Sequence, residues 1–591
     1  MAKLVLLFAT VLMATASSAA VLDLSTRGKA GAVIVLGADA TDVERTAGSE
    51  LAAGLKQVTG AEFAVVDSDA GRSEPVRIFV GQTETVKKLM PDFDWRSFKH
   101  DGIVIQPVAK GLVLAGDRPR GSLYAVYTFL EDNIGIRWWT PDASFVPAKP
   151  SLKVNVARKI HVPPFRCRET FYAKVINVNP VFATRMRLNG HHQPIPPEYG
   201  GHYTIPGFVH TFIQMLPPDK YFAEHPEWYS EIDGKRVENG QLCLTNEDMR
   251  SELTRVALEW IKANPSAGII SISQNDTFYP CQCANCQAIV KEEGAESGPL
   301  LNLVNLVAED IERHYPEFLV DTLAYQYTRK APAKVRPRDN VVVRLCSIEA
   351  DFARPLTAST NTAFMADLES WKRIAGKLYI WDYTVNYSNL LLPFPNLRVL
   401  APNIQLFAKS NVMSLFEQGD GYNQDANLVG LKTWLISRLM WDPTLDADKL
   451  TREFLNGYYG KAGRYLYDYI QLICDAGEKS PKDVGCFSDW SVFWTPEALQ
   501  EAVRIMDKAV AAVKNDPVLR QRVEIQRLAI DHALLAARSK QGLPVLGDGN
   551  SLLERFISDS WRTGNQFRHE NSAMSDDYMA KLRDKAAINS K

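Results

Sequence analysis

Cysteine is scarce in this sequence: eight among 591 residues, too few for disulfides to frame a chain of this length. Charge of one sign is also lacking. Lys and Arg number 67 against 69 Asp and Glu, a formal net charge of -2, and neither sign forms a long run, which excludes nucleic-acid binding through a basic surface. Beyond the first twenty residues there is no stretch of eighteen apolar residues, so no stable membrane span is expected. A 20–50-residue repeat and low-complexity segments are missing as well, which excludes solenoids and disordered tracts.

Aromatic side chains are plentiful, with 12 Trp and 21 Tyr. Most such rings pack cores, but the same rings suit sugar sites, because the axial C–H face of a pyranose lies flat on them. The N-terminus reads as a signal peptide over residues 1–20. Lys3 supplies the positive start, Leu4 to Ala14 the apolar stretch, and Ser17, Ser18, Ala19 and Ala20 the small residues for cleavage. The mature protein is therefore expected to be exported, periplasmic or secreted.

Residues 21–155 read as a small α/β sandwich, at about 130 residues an ordinary domain size. The strands are short Val- and Ile-rich runs such as AVIVLG and VRIFVG. The segment TDVERTAGSELAAGLKQVTG has Val43, Ala47, Leu51, Leu55 and Val58 at helical spacing, with Gly60 to end it. From residue 165 to about 460, apolar runs alternate with long helical segments, the rhythm of repeated βα units. The runs RCRETFY, FVHTF, GQLCLTN, GIISISQND, LVDTLAYQY, VVVRLCSIE, KLYIWDY and VMSLFEQ predict eight strands. Spread over roughly 260 residues, they fit a (β/α)8 barrel. No Gly-rich phosphate loop follows the first of them, which argues against an open nucleotide-binding sheet. Residues 461–591 read as a helical C-terminal extension.

In such barrels the active site lies at the C-terminal ends of the strands. In chain order those ends carry Arg168, Glu169 and Tyr172; His210; Thr245 and Asn246; Gln274, Asn275 and Asp276; Tyr325 and Tyr327; Glu349; Trp381, Asp382 and Tyr383; and Glu417. Glycoside cleavage needs one carboxylic acid to protonate the departing oxygen and a second group as base, nucleophile or orienter. Glu349, Asp276 and Asp382 are the expected catalytic acids, with Glu349 or Asp276 as proton donor. Burial and mutual repulsion are expected to raise the donor's pKa. Asn275, Arg168, His210, Tyr325, Trp381, Tyr383 and Glu417 are the expected substrate contacts. Arg168 and His210 would orient hydroxyls or a carboxylate. No cofactor and no catalytic metal are expected. Just after the fourth predicted strand comes CQCANCQ, with Cys281, Cys283 and Cys286. One disulfide pinning the loop is the first expectation; a structural zinc with a fourth ligand from elsewhere, or unpaired thiols, are the alternatives.

The blocks SISQND with CQCANCQ, LVDTLAYQYTRKAP, RLCSIEADFARPL, LYIWDYTVNY and LTREFLNGYYG resemble the bacterial domain-of-unknown-function family 4838. That family overlaps glycoside hydrolase family 163. The resemblance implies a retaining endo-β-N-acetylglucosaminidase acting on complex glycans, with an oligosaccharide or glycoprotein glycan as substrate. GDRPRGSLYAVYTFLEDNIGIRWW is similar to the small domain before the barrel in family 67 α-glucuronidases and family 20 hexosaminidases. An α-glucuronidase-like enzyme and a non-catalytic glycan-binding barrel are therefore the alternatives. The α-glucuronidase likeness places Glu349 at a catalytic acid after strand six, and Asp382 at one after strand seven. The hexosaminidases end strand four in an Asp-Glu pair, where this chain has Asn275-Asp276. In a substrate-assisted reaction Asp276 would orient the acetamido group and Glu349 would be the acid.

Overall fold

The computed structural model describes residues 19–176, 180–570 and 572–588. Residues 1–18 of the expected signal peptide lie outside them. The chain divides into two compact units: Met1–Arg137 with Val146–Val162, and Trp138–Phe145 with Pro163–Lys591.

In the first unit, a six-stranded mixed sheet runs in the order Lys159–His161, Ile103–Val108, Gly111–Gly116, Val76–Val80, Ala32–Val35, Val65–Val66. The helix Asp42–Thr59 starts where the sequence signals it. Thr41 and Glu44 form a reciprocal capping box, and Gly60 ends the helix at φ 75°. Its buried face includes Val43, Ala47, Leu51, Leu55 and Val58, the five residues at helical spacing.

The second unit is built on a parallel sheet curled into a barrel wall. Its strands run in the order Cys167–Thr170, Ser414–Gln418, Leu378–Tyr383, Val341–Cys346, Leu319–Ala324, Ile269–Ser271. The first strand in sequence pairs with the last, Arg168 beside Leu415 and Thr170 beside Glu417, so the sheet wraps round on itself. Among the described residues six of the eight expected strands form this sheet. The other two, FVHTF and GQLCLTN, do not extend. Gly207, Phe208 and His210 take left-handed φ of 73°, 55° and 54°, which no strand tolerates, and Thr211–Met215 turns into a short helix. GQLCLTN keeps a single bridge, Leu242 to Tyr229, and its Cys243 is drawn into a cluster of thiols.

Irregular chain fills the gap. Asn189 N–H donates to the Arg168 carbonyl at 3.1 Å, and the Asn189 side-chain oxygen accepts from Arg168 N–H at 2.8 Å. At the other edge Thr211 Oγ1 donates to the Ser271 carbonyl and accepts from Ser273 N–H, while Phe212 N–H reaches the Ser273 carbonyl. Side-chain and loop hydrogen bonds thus satisfy the strand edges that the missing ladders would have paired.

After the barrel come the helices Ala447–Tyr459, Gly463–Glu478, Pro496–Ala512, Pro517–Ala537, Gly549–Thr563 and Asp576–Ala586. The extension is not wholly helical, because a small hairpin, Phe567–His569 with Ser572–Ala573, interrupts it. Among the described residues no helix is long and apolar enough to cross a membrane.

Candidate active site

Side chains alternate along a strand, so Tyr379, Trp381 and Tyr383 share one face and Ile380 and Asp382 the other. The first set faces the barrel interior. Trp381 and Tyr383 line a cavity of about 270 Å³ at the C-terminal mouth, together with His210, Asp276, Tyr325, Tyr387, Gln418 and Glu570. The volume sits just below the usual small-molecule range of about 300–1,000 Å³, on the scale of one bound sugar residue.

Five of the expected site residues meet there: His210, Asp276, Tyr325, Trp381 and Tyr383. The Tyr325 hydroxyl donates to Asp276 Oδ1 at 3.2 Å and accepts from Gln326 Nε2 at 2.8 Å. His210 Nδ1 bonds the Gln274 carbonyl at 2.8 Å, which fixes the proton on that nitrogen and leaves Nε2 for a ligand. Trp381 and Tyr383 stack at 6.1 Å and 24°, and Tyr387 and Phe487 continue the aromatic wall.

The other five lie elsewhere. Glu349 sits at the rim beside Ile348, its side chain 42% exposed and ion-paired to Arg329 at 2.7 Å. Asn275 is spent on the backbone: Oδ1 accepts from Ile213 N–H and Nδ2 donates to the Gly240 carbonyl. Arg168 is fully buried in the wall, donating to the carbonyls of Arg187 and Phe165. Asp382 and Glu417 are register partners on adjacent strands. Both point away from the cavity, and both are buried.

Asp382 accepts hydrogen bonds from the Ser347 hydroxyl and Tyr383 N–H, yet burial pushes its carboxyl up to about 6. Burial raises Glu417 further, helped by Asp382, and neither Glu417 oxygen has a hydrogen-bond partner among the described residues. An acid with a raised folded pKa contributes stability in full below its unfolded value, here about 4, and loses it as pH rises through its folded pKa. The thermal midpoint is therefore expected to fall by several degrees between pH 5 and pH 8. The double variant Asp382→Asn, Glu417→Gln should flatten that slope in calorimetry; an unchanged slope would show that the pair ionises no more easily unfolded than folded.

Two cavity residues, Tyr387 and Glu570, lie outside the expected set. Tyr387 belongs to the conspicuous IWDYTVNY block; its hydroxyl is buried at the cavity with no partner among the described residues. Glu570 comes from the C-terminal hairpin. A relay holds it: Trp381 Nε1 donates to Gln418 Oε1 at 2.8 Å, and Gln418 Nε2 donates to Glu570 Oε1 at 2.9 Å. Glu570 is itself exposed, yet partial desolvation where it meets the barrel loops raises its carboxyl above the usual range, against the Gln418 hydrogen bond, with the Asp420 and Asp276 charges adding to the rise. The hairpin is clipped to the barrel loops by Asn423 on both Phe567 backbone groups, by Leu390 N–H on the Arg568 carbonyl and by His569 Nδ1 on the Tyr387 carbonyl.

Below the cavity lies an ionic layer. Glu169 accepts from the Tyr379 hydroxyl at 2.9 Å and bonds His192 Nδ1 at 2.6 Å. Burial alone would raise its carboxyl, but the His192 charge and hydrogen bonds outweigh burial and hold it at about 2. Arg344 pairs with Asp321 at 3.0 Å, both fully buried.

A family model described as "Domain of unknown function (DUF4838)" matches residues 138–471, more than half of the 591. The chain belongs to this family. The model of the glycosyl hydrolase family 67 N-terminus also matches residues 24–129. No curated protein matches the sequence. Among solved structures, the DUF4838 chain is similar to BtGH115A, described as a family GH115 4-O-methyl-alpha-glucuronidase with specificity for decorated arabinogalactans. That match has 10% identity, 96% coverage of this chain, 80% of that one, and a TM-score of 0.55. CpGH84D matches at 9% identity, 96% of each chain and TM-score 0.46. A mutant Streptomyces plicatus beta-hexosaminidase with GlcNAc product matches at 12% identity, 77% of this chain, 93% of that one and TM-score 0.40. At 10% identity the likeness to BtGH115A shows the fold alone: an α/β barrel.

Proposed function

We propose that this protein is a glycoside hydrolase, and within that class a retaining endo-β-N-acetylglucosaminidase acting on complex glycans. The observation that carries this reading is the cavity itself. Its lining joins two carboxylates, Asp276 and Glu570, to a wall of Trp381, Tyr383, Tyr387 and Phe487, with no Lys or Arg among its described residues. A uronic acid needs a cation to receive its carboxylate; among its described residues the lining offers only the His210 imidazole, and the Asp276 carboxylate would repel it. A neutral amino sugar meets no such penalty.

In this mechanism Glu570, its pKa raised, gives its proton to the departing glycosidic oxygen. The acetamido oxygen of the substrate attacks the anomeric carbon, and Asp276, steadied by Tyr325, accepts the amide N–H and balances the positive charge of the oxazolinium. Glu570, now a carboxylate, then takes a proton from the water that opens the ring, and the configuration is retained. Tyr387 and His210 Nε2 supply hydrogen bonds to sugar hydroxyls. We assign the acid to Glu570 rather than Glu349, which Arg329 holds at the rim.

The test is incubation with a complex N-glycoprotein and, separately, with glucuronoxylan fragments, with products read by mass and anomeric configuration by NMR. Glycan release that leaves one N-acetylglucosamine on the protein, with a β-anomeric product, is expected. Uronic acid release alone would overturn the amino-sugar reading, and no product from either substrate would overturn the glycosidase reading. Trp381→Ala should raise KM about 10- to 100-fold, the loss of about 1.4–2.8 kcal/mol of stacking, with a smaller change in kcat. Export rests on residues 1–20 and is tested by sequencing the mature N-terminus.

A further inference from the structure

The function proposed above leaves CQCANCQ without a role. The fold brings Cys281, Cys283 and Cys286 together with Cys243, and the four Sγ atoms lie within 4.8 Å of one another, all buried. No pair is bonded. The Cys243 and Cys283 sulfurs stand 3.7 Å apart. A disulfide requires about 2.05 Å, whereas the edge of a sulfur tetrahedron around zinc, with Zn–S near 2.3 Å, is about 3.8 Å. We propose that Cys243, Cys281, Cys283 and Cys286 form a structural tetrathiolate zinc site.

The surroundings suit such a centre, which carries two net negative charges. Glu231 N–H points at Cys281 Sγ at 3.3 Å, and the Arg236 guanidinium lies 3.8 Å from the same sulfur. Thr245 Oγ1 lies 3.4 Å from Cys286 Sγ and 3.8 Å from Cys243 Sγ. Donors of this kind orient thiolates and stabilise their charge. Four protein sulfurs close the coordination sphere, so the metal is structural and not catalytic.

The site braces the loop of the proposed acetamide orienter. Gln241, two residues before Cys243, accepts from Asn275 N–H and donates to the carbonyls of Asn275 and Thr277. The backbone on both sides of Asp276 is therefore tied to the segment that the metal anchors.

Elemental analysis of the full-length protein, purified without chelators, should find one zinc per chain. An organomercurial should release it as the four thiols react, and cobalt-grown protein should show the charge-transfer and ligand-field bands of a tetrahedral tetrathiolate. Cys243→Ser and Cys283→Ser should lower the zinc content, while Cys474→Ser, buried elsewhere, should not. Hydrogen exchange in residues 228–246 and 273–286 should quicken when the metal is withdrawn. A chain free of metal, stoichiometric iron instead of zinc, or a disulfide among these four cysteines in a non-reduced peptide map would overturn the proposal. The wild-type metal count stands even where a variant fails to fold, and it does not depend on any glycosidase activity.

Discussion

Replacing Glu570 by Gln is expected to lower kcat on a natural glycan about 10²- to 10⁴-fold, the usual contribution of a positioned general acid. The amide keeps the size of the side chain and can still meet Gln418, so the cavity wall should stand and KM should move little. The loss should depend on the leaving group. An aryl N-acetylglucosaminide, whose phenolate departs without a proton, should lose far less than a glycan. The wild-type rate should fall as pH rises through the Glu570 pKa, which partial desolvation raises above the ordinary range, and that limb should vanish in the Gln variant. Asp276→Asn should lose a comparable factor on both substrates, because the acetamide must be oriented whatever departs. Glu349→Gln should cost only a few-fold, since that side chain is at the rim and paired with Arg329. Full activity in Glu570→Gln together with a deep loss in Glu349→Gln would return the acid role to Glu349.

The barrel was legible where periodicity and propensity agree. LVDTLAYQY, VVVRLCSIE, KLYIWDY and VMSLFEQ are strands because branched and aromatic residues stack there, and the structure has all four. FVHTF has the same composition, but left-handed φ at Phe208 and His210 belongs to tertiary closure and leaves no mark on local pattern. Fewer strand-end residues reach the mouth than the sequence suggests, for one local reason. Trp381, Asp382 and Tyr383 cannot all face one way along a strand, and alternation sends Asp382 to the outside, where Glu417 is its register partner. Glu570 was out of reach for the opposite reason. It lies in a polar stretch among helices, and only the contacts of its hairpin with Asn423, Leu390 and Tyr387 bring it to the barrel. The cysteine cluster falls between these cases: the C-x-C-x2-C spacing asked for a fourth ligand, and nothing near it in sequence identified Cys243.

Arg344→Met is expected to destabilise the protein by about 3–5 kcal/mol, the usual cost of breaking a buried ion pair from one side. Arg344 and Asp321 are both fully buried, joined at 3.0 and 3.2 Å, and the guanidinium also lies 4.1 Å from the Tyr379 ring centroid and 5.0 Å from that of Phe208. Even with this partner, burial lifts the Asp321 carboxyl to about 6. Once the arginine is gone only the Ser271 hydroxyl opposes burial, and the carboxyl must keep its proton or unfold the barrel floor. The sign follows from linkage: with the folded pKa raised further, stability is full below the unfolded value and is lost as pH rises. The variant should therefore be closer to wild type at pH 5 than at pH 8 in chemical denaturation. Adding Asp321→Leu should recover most of the loss, because two apolar side chains of similar volume leave no uncompensated charge. A single variant as stable as wild type at pH 8 would mean that the aromatic layer of Phe208, Tyr379 and Trp381 sustains the floor without the ion pair. A double variant no better than the single one would mean that the arginine acts chiefly by packing against those rings.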